Sequence, residues 1–367
     1  MARYAQRGYG ISRSAKFSGS STLRWLLVMA VFVGLTGYVS AQDVNVHIEP
    51  RPTPNPTSTA PKDDKDKDKD KDPAAKAPAV TTDPGLKRGK PIQMDVDLVL
   101  VSVTVTDDWN RIVTGLDKEN FSIIEGSEPQ QVKHFSSEDA PLSLGVIFDM
   151  SGSMGGDKIT KAREAVIEFF KTANPQDEFF MITFSDRPQM RADFTKSVEE
   201  VQGKLAFTVP KGQTALLDAI YMGISKMKEA RNSKKALLII SDGGDNHSRY
   251  TEREIKSMVK EADVQIYSIG IFTPGATQPE EIAGPAMLTD ISDVTGGRMF
   301  KIDNLNELAD VATKIGIELR NQYVLGYRPS NKAKDGHWRK IRVKLIPPKG
   351  LSHMNVFART GYYAPAQ

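Results

Sequence analysis

Between residues 142 and 302, short apolar runs alternate with segments whose apolar residues recur every three or four positions. An uninterrupted apolar run is typical of a strand that is buried on both faces. Apolar residues at the wider spacing indicate a helix that buries one side. Strands that alternate with helices predict an α/β fold built on a doubly wound, mostly parallel sheet, as in Rossmann-like folds. The predicted strands cover residues 142–148, 179–184, 236–240, 264–271 and 298–302.

Helical spacing occurs in several of the intervening segments. Thr251 is followed three positions later by Glu254, and this capping-box pattern marks the start of a helix. The predicted helices carry Ile159, Ala162, Val166 and Phe170 in the first, Leu217, Ile220, Ile224 and Met227 in the second, and Ile255, Met258, Val259 and Ala262 in the third, and a last helix spans 305–319.

The segments on either side of this region alternate apolar and polar residues instead. Valines occupy every second position from Val99 to Val105, and period-two alternation is typical of a strand that buries one face. The β-rich flanks, residues 92–139 and 319–367, together have the size of one small β-sandwich. We therefore predict that the flanks fold together and that an α/β domain, residues 140–318, is inserted between them.

The first 91 residues are not expected to join the folded core. Residues 25–39 are apolar, follow Arg24 and precede Ser40-Ala41, which is the pattern of a secretory signal peptide. This stretch is shorter than the ~20 residues of a membrane-spanning helix, so residues 1–41 are predicted to be a signal peptide, with an uncleaved anchor as the alternative. Residues 42–91 are rich in Pro, Lys and Asp and are predicted to be a solvated linker. The chain after the signal segment is therefore expected to be exported to the periplasm or to the outside of the cell.

Composition excludes several classes of function. The sequence contains no cysteine, which excludes disulfides, thiolate metal sites and a thiol nucleophile. Lys and Arg total 49 and Asp and Glu total 46, but residues 1–41 contain five basic and no acidic residues. The rest of the chain is close to neutral, whereas nucleic-acid binding requires a clustered basic surface. We therefore expect no nucleic-acid partner.

Oxygen-bearing side chains follow two of the predicted strands and precede one predicted helix. Asp149, Ser151 and Ser153 follow the first strand in a glycine-rich loop, Asp242 follows the third strand, and Thr214 precedes the second helix. Ligands of open α/β sheets bind in the loops at the carboxyl ends of the strands, so these five side chains are expected to face one crevice. Hydroxyls and carboxylates are the ligands that hard divalent cations prefer. The sequence therefore predicts a cation site.

This pattern resembles the von Willebrand factor A domain family, which includes the integrin I domains. The metal-ion-dependent adhesion site of that family has the form D-x-S-x-S, then a distant Thr, then a distant Asp in an S/T-D-G context, which reads Ser241-Asp242-Gly243 in this sequence. The matching positions in this sequence are Asp149, Ser151, Ser153, Thr214 and Asp242. The resemblance covers residues 142–317, and the flanks look similar to those of bacterial secreted proteins that carry such a domain.

The resemblance implies adhesion or protein binding without catalysis. The hydroxyls and a carboxylate would hold Mg²⁺, with Mn²⁺ or Ca²⁺ as alternatives, and some of the groups would act through water. One coordination position would stay open for an Asp or Glu carboxylate of a partner protein. Two aspartates only neutralise the dication, so neutral hydroxyls leave it able to attract a further anion. The resemblance also implies that the last helix moves when the acidic ligand binds.

Two other functions stay open at this point. One is a structural component of an envelope assembly, in which the cation is incidental. The other is a Mg²⁺-dependent phosphatase, although that chemistry needs a second acid two residues after the first, where this chain has Ser151. Three further polar residues near the site are predicted to have no functional role. Asp218 is interpreted as a helix-surface charge, Asp245 as a turn residue and His247 as an exposed loop residue.

Overall fold

The structure is a computed structural model that describes residues 98–206, 209–273, 275–348 and 353–366. The predicted signal peptide and linker lie outside the described residues. Within the described ranges, none of the helices combines the length and the apolar character that a membrane span requires. The helices are α1 (Asp157–Phe170), α2 (Val198–Ala206), α3 (Leu216–Lys226), α4 (Glu252–Glu261), α5 (Pro279–Val294) and α6 (Leu308–Arg320).

The strands fall into one central sheet and two smaller sheets. They are β1 (Val99–Asp107), β2 (Phe121–Glu125), β3 (Glu128–Gln130), β4 (Val132–Ser136), β5 (Leu142–Asp149), β6 (Glu178–Phe184), β7 (Pro188–Thr195), β8 (Lys234–Ser241), β9 (Gln265–Gly270), β10 (Met299–Lys301), β11 (Tyr323–Tyr327), β12 (Trp338–Leu345), β13 (Met354–Ala358) and β14 (Gly361–Tyr363).

The central sheet has the strand order β10-β9-β8-β5-β6-β7. Its neighbouring strands are parallel except for β6 and β7, which are antiparallel. The predicted α/β fold with a mostly parallel sheet is therefore confirmed. Because β5 and β8 are adjacent and parallel, the loops that follow them leave the same edge of the sheet side by side.

Both faces of this sheet are covered by helices, which explains why its inner strands are apolar at consecutive positions. Val146 and Phe148 of β5 pack into a core with residues of α1 and α6. Ile147, between them in sequence, points the other way into a core with residues of α3, α4 and α5. Successive side chains of a strand alternate between its faces, so a sheet buried on both sides needs an uninterrupted apolar run.

The two β-rich flanks pair with each other. β1, which precedes the central sheet in sequence, is antiparallel to β11 and β13, which follow it. The second small sheet likewise joins β2 to β12. The inward faces of the two sheets share one apolar core that includes Val103, Ile123 and Leu325. The α/β region is thus inserted between the two halves of a β-sandwich, while the domain boundaries at 139/140 and 318/319 stay predictions.

Several elements of the structure were not predicted from sequence, among them β7, α2, α5 and β14. β7 begins at Pro188 and is an edge strand with several exposed residues, so it lacks a strong apolar pattern. α2 is short, and α5 contains Pro285 and buries residues without a single helical stripe. β14 has three residues. The predicted last helix begins later than expected, because residues 305–307 form a 3₁₀ turn before α6.

Candidate metal centre

The five predicted ligands lie in loops that meet at one edge of the central sheet. Asp149 is the last residue of β5, and Asp242 directly follows β8, the neighbouring parallel strand. Ser241 connects the two strand ends, because its hydroxyl donates a 2.6 Å hydrogen bond to Oδ2 of Asp149. The predicted convergence of the Asp149 and Asp242 loops is therefore present in the structure.

The loop after β5 turns sharply around the carboxylate of Asp149. The backbone N–H of Ser151 donates to Oδ1 of Asp149 over 2.8 Å, which folds the loop back on the strand end. The Ser151 and Ser153 hydroxyl oxygens then lie 3.0 Å apart. Asp149 and Ser151 are buried, whereas Ser153 is exposed. The loop thus has an interior carboxylate and a hydroxyl that faces the solvent.

The segment before α3 is tied directly to this loop. The backbone N–H of Gly152 donates to the Gly212 carbonyl over 3.0 Å, and the Lys211 N–H donates to the Met150 carbonyl over 2.9 Å. Gly212 adopts a φ of 87°, a left-handed conformation that glycine tolerates best, and an added Cβ would lie 2.7 Å from the Asp186 carboxylate. These contacts hold the segment that leads to Thr214, which is 5% exposed, against the loop that carries the two serines.

Asn246 and Gly243 hold the remaining two ligand segments in position. The Thr214 N–H donates to Oδ1 of Asn246 over 3.0 Å, which connects the Thr214 segment to the loop after β8. Gly243 has a φ of 82°, and its N–H donates to the Ser241 hydroxyl over 3.0 Å. The chain can therefore turn immediately after Asp242 while Ser241 keeps its bond to the other strand.

The electrostatics of the centre are unfavourable for two bare carboxylates. Burial, and then the nearby negative charge of Asp242, raise the pKa of Asp149 to about 7, although hydrogen bonds from Ser151 and Ser241 oppose the shift. Lys158, the second residue of α1, places its ammonium 3.3 Å from Oδ2 of Asp242. A cation held between the two aspartates would relieve the same repulsion.

The donor set fits a hard divalent cation. Bonds of 2.0–2.1 Å at right angles put neighbouring ligands of octahedral Mg²⁺ about 2.9 Å apart, close to the 3.0 Å between the Ser151 and Ser153 hydroxyls. Within the described ranges, no group of three or more His, Cys, Asp or Glu side chains is arranged so that it could hold a metal ion. A cation at this edge would therefore depend on hydroxyl oxygens beside two carboxylates, and the ligand role of the five residues stays a prediction.

One of the three neighbouring polar residues has an environment that differs from the one interpreted from sequence. Asp218 is 5% exposed and accepts hydrogen bonds from the Arg249 and Tyr250 N–H groups, so its interpretation as a helix-surface charge was wrong. Asp245 accepts from the Leu217 N–H at the start of α3, in agreement with a role in the loop. His247 is exposed, as predicted.

Two residues of the centre, Asn246 and Lys158, were not singled out from sequence, and Ser241 was named only as the residue before Asp242 in a Ser-Asp-Gly pattern. Ser241 had a usable signal, because a hydroxyl at the end of a buried apolar strand needs a hydrogen-bond partner. Asn246 and Lys158 had none, because an Asn in a loop and a Lys in the first turn of a helix are ordinary in solvent-exposed positions.

The candidate metal centre lies in a part of the chain that matches a known domain family. The sequence profile of the von Willebrand factor type A domain matches residues 144–244, a range that includes all three loop segments of the centre. This chain carries a von Willebrand factor type A domain. The type A domain match therefore includes Asp149, Ser151, Ser153, Thr214 and Asp242.

The curated relatives match about half of the chain. Mouse inter-alpha-trypsin inhibitor heavy chain 4 is 31% identical over 202 residues, which are 51% of this chain and 21% of that protein. An uncharacterised protein of Borreliella burgdorferi is 22% identical over 187 residues, covering 45% of this chain and 55% of that protein. The chain thus spans about a fifth of the mouse relative's length.

Two of the similar solved structures come from bacteria. A von Willebrand factor type A protein from Catenulispora acidiphila has a TM-score of 0.45 at 12% identity, covering 73% of this chain and 75% of that one. The corresponding domain of the type V pili tip protein Mfa5 from Porphyromonas gingivalis has a TM-score of 0.38 at 13% identity, covering 49% of this chain and 97% of that domain.

Proposed function

We propose that this chain is an exported protein-binding module that holds one divalent cation at the edge of its type A domain. The cation, Mg²⁺ or else Mn²⁺ or Ca²⁺, would bind an Asp or Glu carboxylate of a partner protein, and the chain would catalyse no reaction. The observation that carries this proposal is the set of hydrogen bonds that joins the Asp149, Thr214 and Asp242 loops at one edge of the sheet.

The chemistry of the five side chains supports binding of a carboxylate. Asp149 and Asp242 would neutralise a dication, and the hydroxyls of Ser151, Ser153 and Thr214 would add oxygen ligands without adding negative charge. A cation held in this way keeps its attraction for one more anion. Ser153 and its neighbour Gly152 are exposed, so a partner side chain can approach the centre from the solvent.

Two broader observations support the protein-binding part of the proposal. Domains of the von Willebrand factor type A family commonly act as metal-dependent modules for protein interaction. The apolar stretch at residues 25–39, with its preceding basic residue, is the pattern of an export signal.

The first test is the response of thermal stability to a cation. Saturating Mg²⁺ or Mn²⁺ should stabilise the wild-type chain, by about 2.7 kcal/mol at a hundred times the dissociation constant. Asp149→Ala should remove the effect. Asp157→Asn is the matched control, because Asp157 is an exposed carboxylate in the first turn of α1, near the centre but outside the predicted ligand set.

The second test concerns the acidic ligand. A short peptide with one Glu should bind to the immobilised chain in Mg²⁺ and be released by EDTA, and the same peptide with Gln should not bind. Surface plasmon resonance measures both. Equal binding of the Glu and Gln peptides, or no stabilisation of the wild type by either cation, would contradict the proposal.

A further inference from the structure

Lys158 reaches across the candidate metal centre from the second position of α1. Its ammonium nitrogen lies 3.3 Å from Oδ2 of Asp242 and 3.0 Å from the hydroxyl oxygen of Thr273. The side chain of Asp242 is 6% exposed and that of Lys158 is 18% exposed. A positive charge is therefore held beside a predicted cation ligand, in a place that is largely shielded from water.

The position of Lys158 is fixed by three neighbouring strands. Its own helix follows the loop after β5, Asp242 follows β8, and Thr273 lies in the loop after β9. These strands are consecutive in the sheet, so their loops lie side by side. The Thr273 hydroxyl gives the ammonium a second hydrogen-bond partner, which keeps the lysine at the centre rather than extended into the solvent.

This contact has two opposite electrostatic consequences. The ammonium repels a divalent cation and occupies one oxygen of Asp242, so it disfavours cation binding. Once a dication is bound between two ionised aspartates, however, the charges of these three groups cancel. The ammonium of Lys158 then gives the centre a net charge of one positive unit. Without the lysine, the loaded centre would be neutral. The lysine therefore adds to the attraction of the loaded centre for an anion.

We propose that Lys158 sets the relative affinity of this centre for its two ligands: it weakens the binding of the cation and strengthens the binding of a carboxylate to the cation-loaded centre. This inference rests on the proposed function, because it requires Asp242 to be a cation ligand. In the cation-free chain, the same ammonium compensates the buried charge of Asp242, which would be costly without a partner. Lys158 thus favours an acidic ligand over a neutral one.

Calorimetric titration of the purified chain and its Lys158→Met variant tests both effects. Mn²⁺ should bind to Lys158→Met at least about tenfold more tightly than to the wild type, because a charge interaction at a few ångströms is worth at least this much where water is partly excluded. A Glu-containing peptide, titrated into the Mn²⁺-saturated proteins, should bind to the variant about tenfold more weakly. The opposite signs are the distinguishing result, because a variant with a merely distorted loop would lose affinity for both ligands.

Two control variants isolate the charge. Lys161→Met removes a lysine from the same helix, one turn further on, where it pairs with Glu164 over 2.8 Å, and it should leave both affinities unchanged. Lys158→Arg keeps the charge and should bind both ligands with affinities close to those of the wild type. If Lys158→Met does not fold in EDTA, Lys158→Gln, which retains a hydrogen-bond donor, replaces it.

The outcomes separate this inference from the proposed function. Suppose that the wild type binds Mn²⁺ and the peptide, and that Lys158→Met binds both ligands with equal or lower affinity. This result overturns the role of Lys158 and leaves the proposed function intact. Mn²⁺ binding by Lys158→Met alone would contradict both, because a wild type that stays without a cation offers a carboxylate no loaded centre to bind. Absence of Mn²⁺ binding in every variant overturns both.

Discussion

Asp149 is fully buried, and each of its carboxylate oxygens accepts a hydrogen bond. Hydrogen bonds to an ionised group are about twice as strong as neutral ones and offset part of the cost of burying the charge. The five residues could be proposed as ligands from sequence because they are oxygen-bearing residues at strand ends and a helix start. The contact of Ser241 could not, since its partner Asp149 is 92 positions away in the sequence.

Replacing Ser241 by Ala should destabilise the chain even without a cation. The variant loses the donor to Oδ2 of Asp149 and the acceptor of the Gly243 N–H. Loss of a hydrogen bond to a charged group costs about 1.5–3 kcal/mol, and urea unfolding in EDTA measures this. Ser153→Ala is the control, because the Ser153 hydroxyl is exposed and pairs with Ser151 alone among the described residues. Equal unfolding free energies for the two variants would contradict this interpretation.

The elements that could be predicted are those in which burial imposes a strict pattern. β5, β8 and β9 are buried at every position or nearly so, and they appear in the sequence as apolar runs. β7 and α5 follow no such pattern, because β7 lies at the sheet edge and α5 contains a Gly-Pro pair within its helix. Neighbouring elements stabilise them, and that contribution cannot be read from the local sequence.

The start of α4 was predicted from its capping box, and the structure confirms it. Thr251 accepts a hydrogen bond from the Glu254 N–H over 3.3 Å, and Glu254 accepts one from the Thr251 N–H over 2.8 Å. Thr251→Ala should lower the free energy of unfolding by about 1 kcal/mol, while Thr251→Ser, which keeps the hydroxyl, should lower it much less. Chemical unfolding of both variants measures the difference. If Thr251→Ser lowered the free energy of unfolding as much as Thr251→Ala does, the hydroxyl would contribute little to stability.

The α/β region and the β-sandwich meet around the side chain of Arg298, just before β10. Its guanidinium forms a 2.6 Å ion pair with Glu318 of α6, donates to Asn110 over 2.8 Å and lies 4.1 Å from the ring centre of Phe357. Burial raises the pKa of Glu318, and the neighbouring Arg298 opposes the shift. Asn110 and Phe357 belong to the flanks, so one charged residue connects both parts of the chain. Sequence could not reveal this, because Arg298 has no local partner pattern.

Arg298→Met should be strongly destabilising because it leaves the fully buried carboxyl of Glu318 without its partner. Removal of one member of a buried ion pair costs about 3–5 kcal/mol. The double variant Arg298→Met/Glu318→Gln should recover much of the loss, since it also removes the unpaired charge. A double-mutant cycle on the free energy of unfolding measures the coupling. Additive losses in the two single variants would contradict the interaction described here.

The central claim is that five oxygen-bearing side chains hold one cation, and a crystal grown with Mn²⁺ tests it most directly. Anomalous scattering should show one peak at the carboxyl edge of the central sheet, about 2.0–2.2 Å from the hydroxyl oxygens of Ser151 and Ser153, with Asp149, Thr214 and Asp242 bound directly or through water. An ordered centre without that peak at millimolar Mn²⁺, or a peak whose ligands exclude both serines, would contradict the claim.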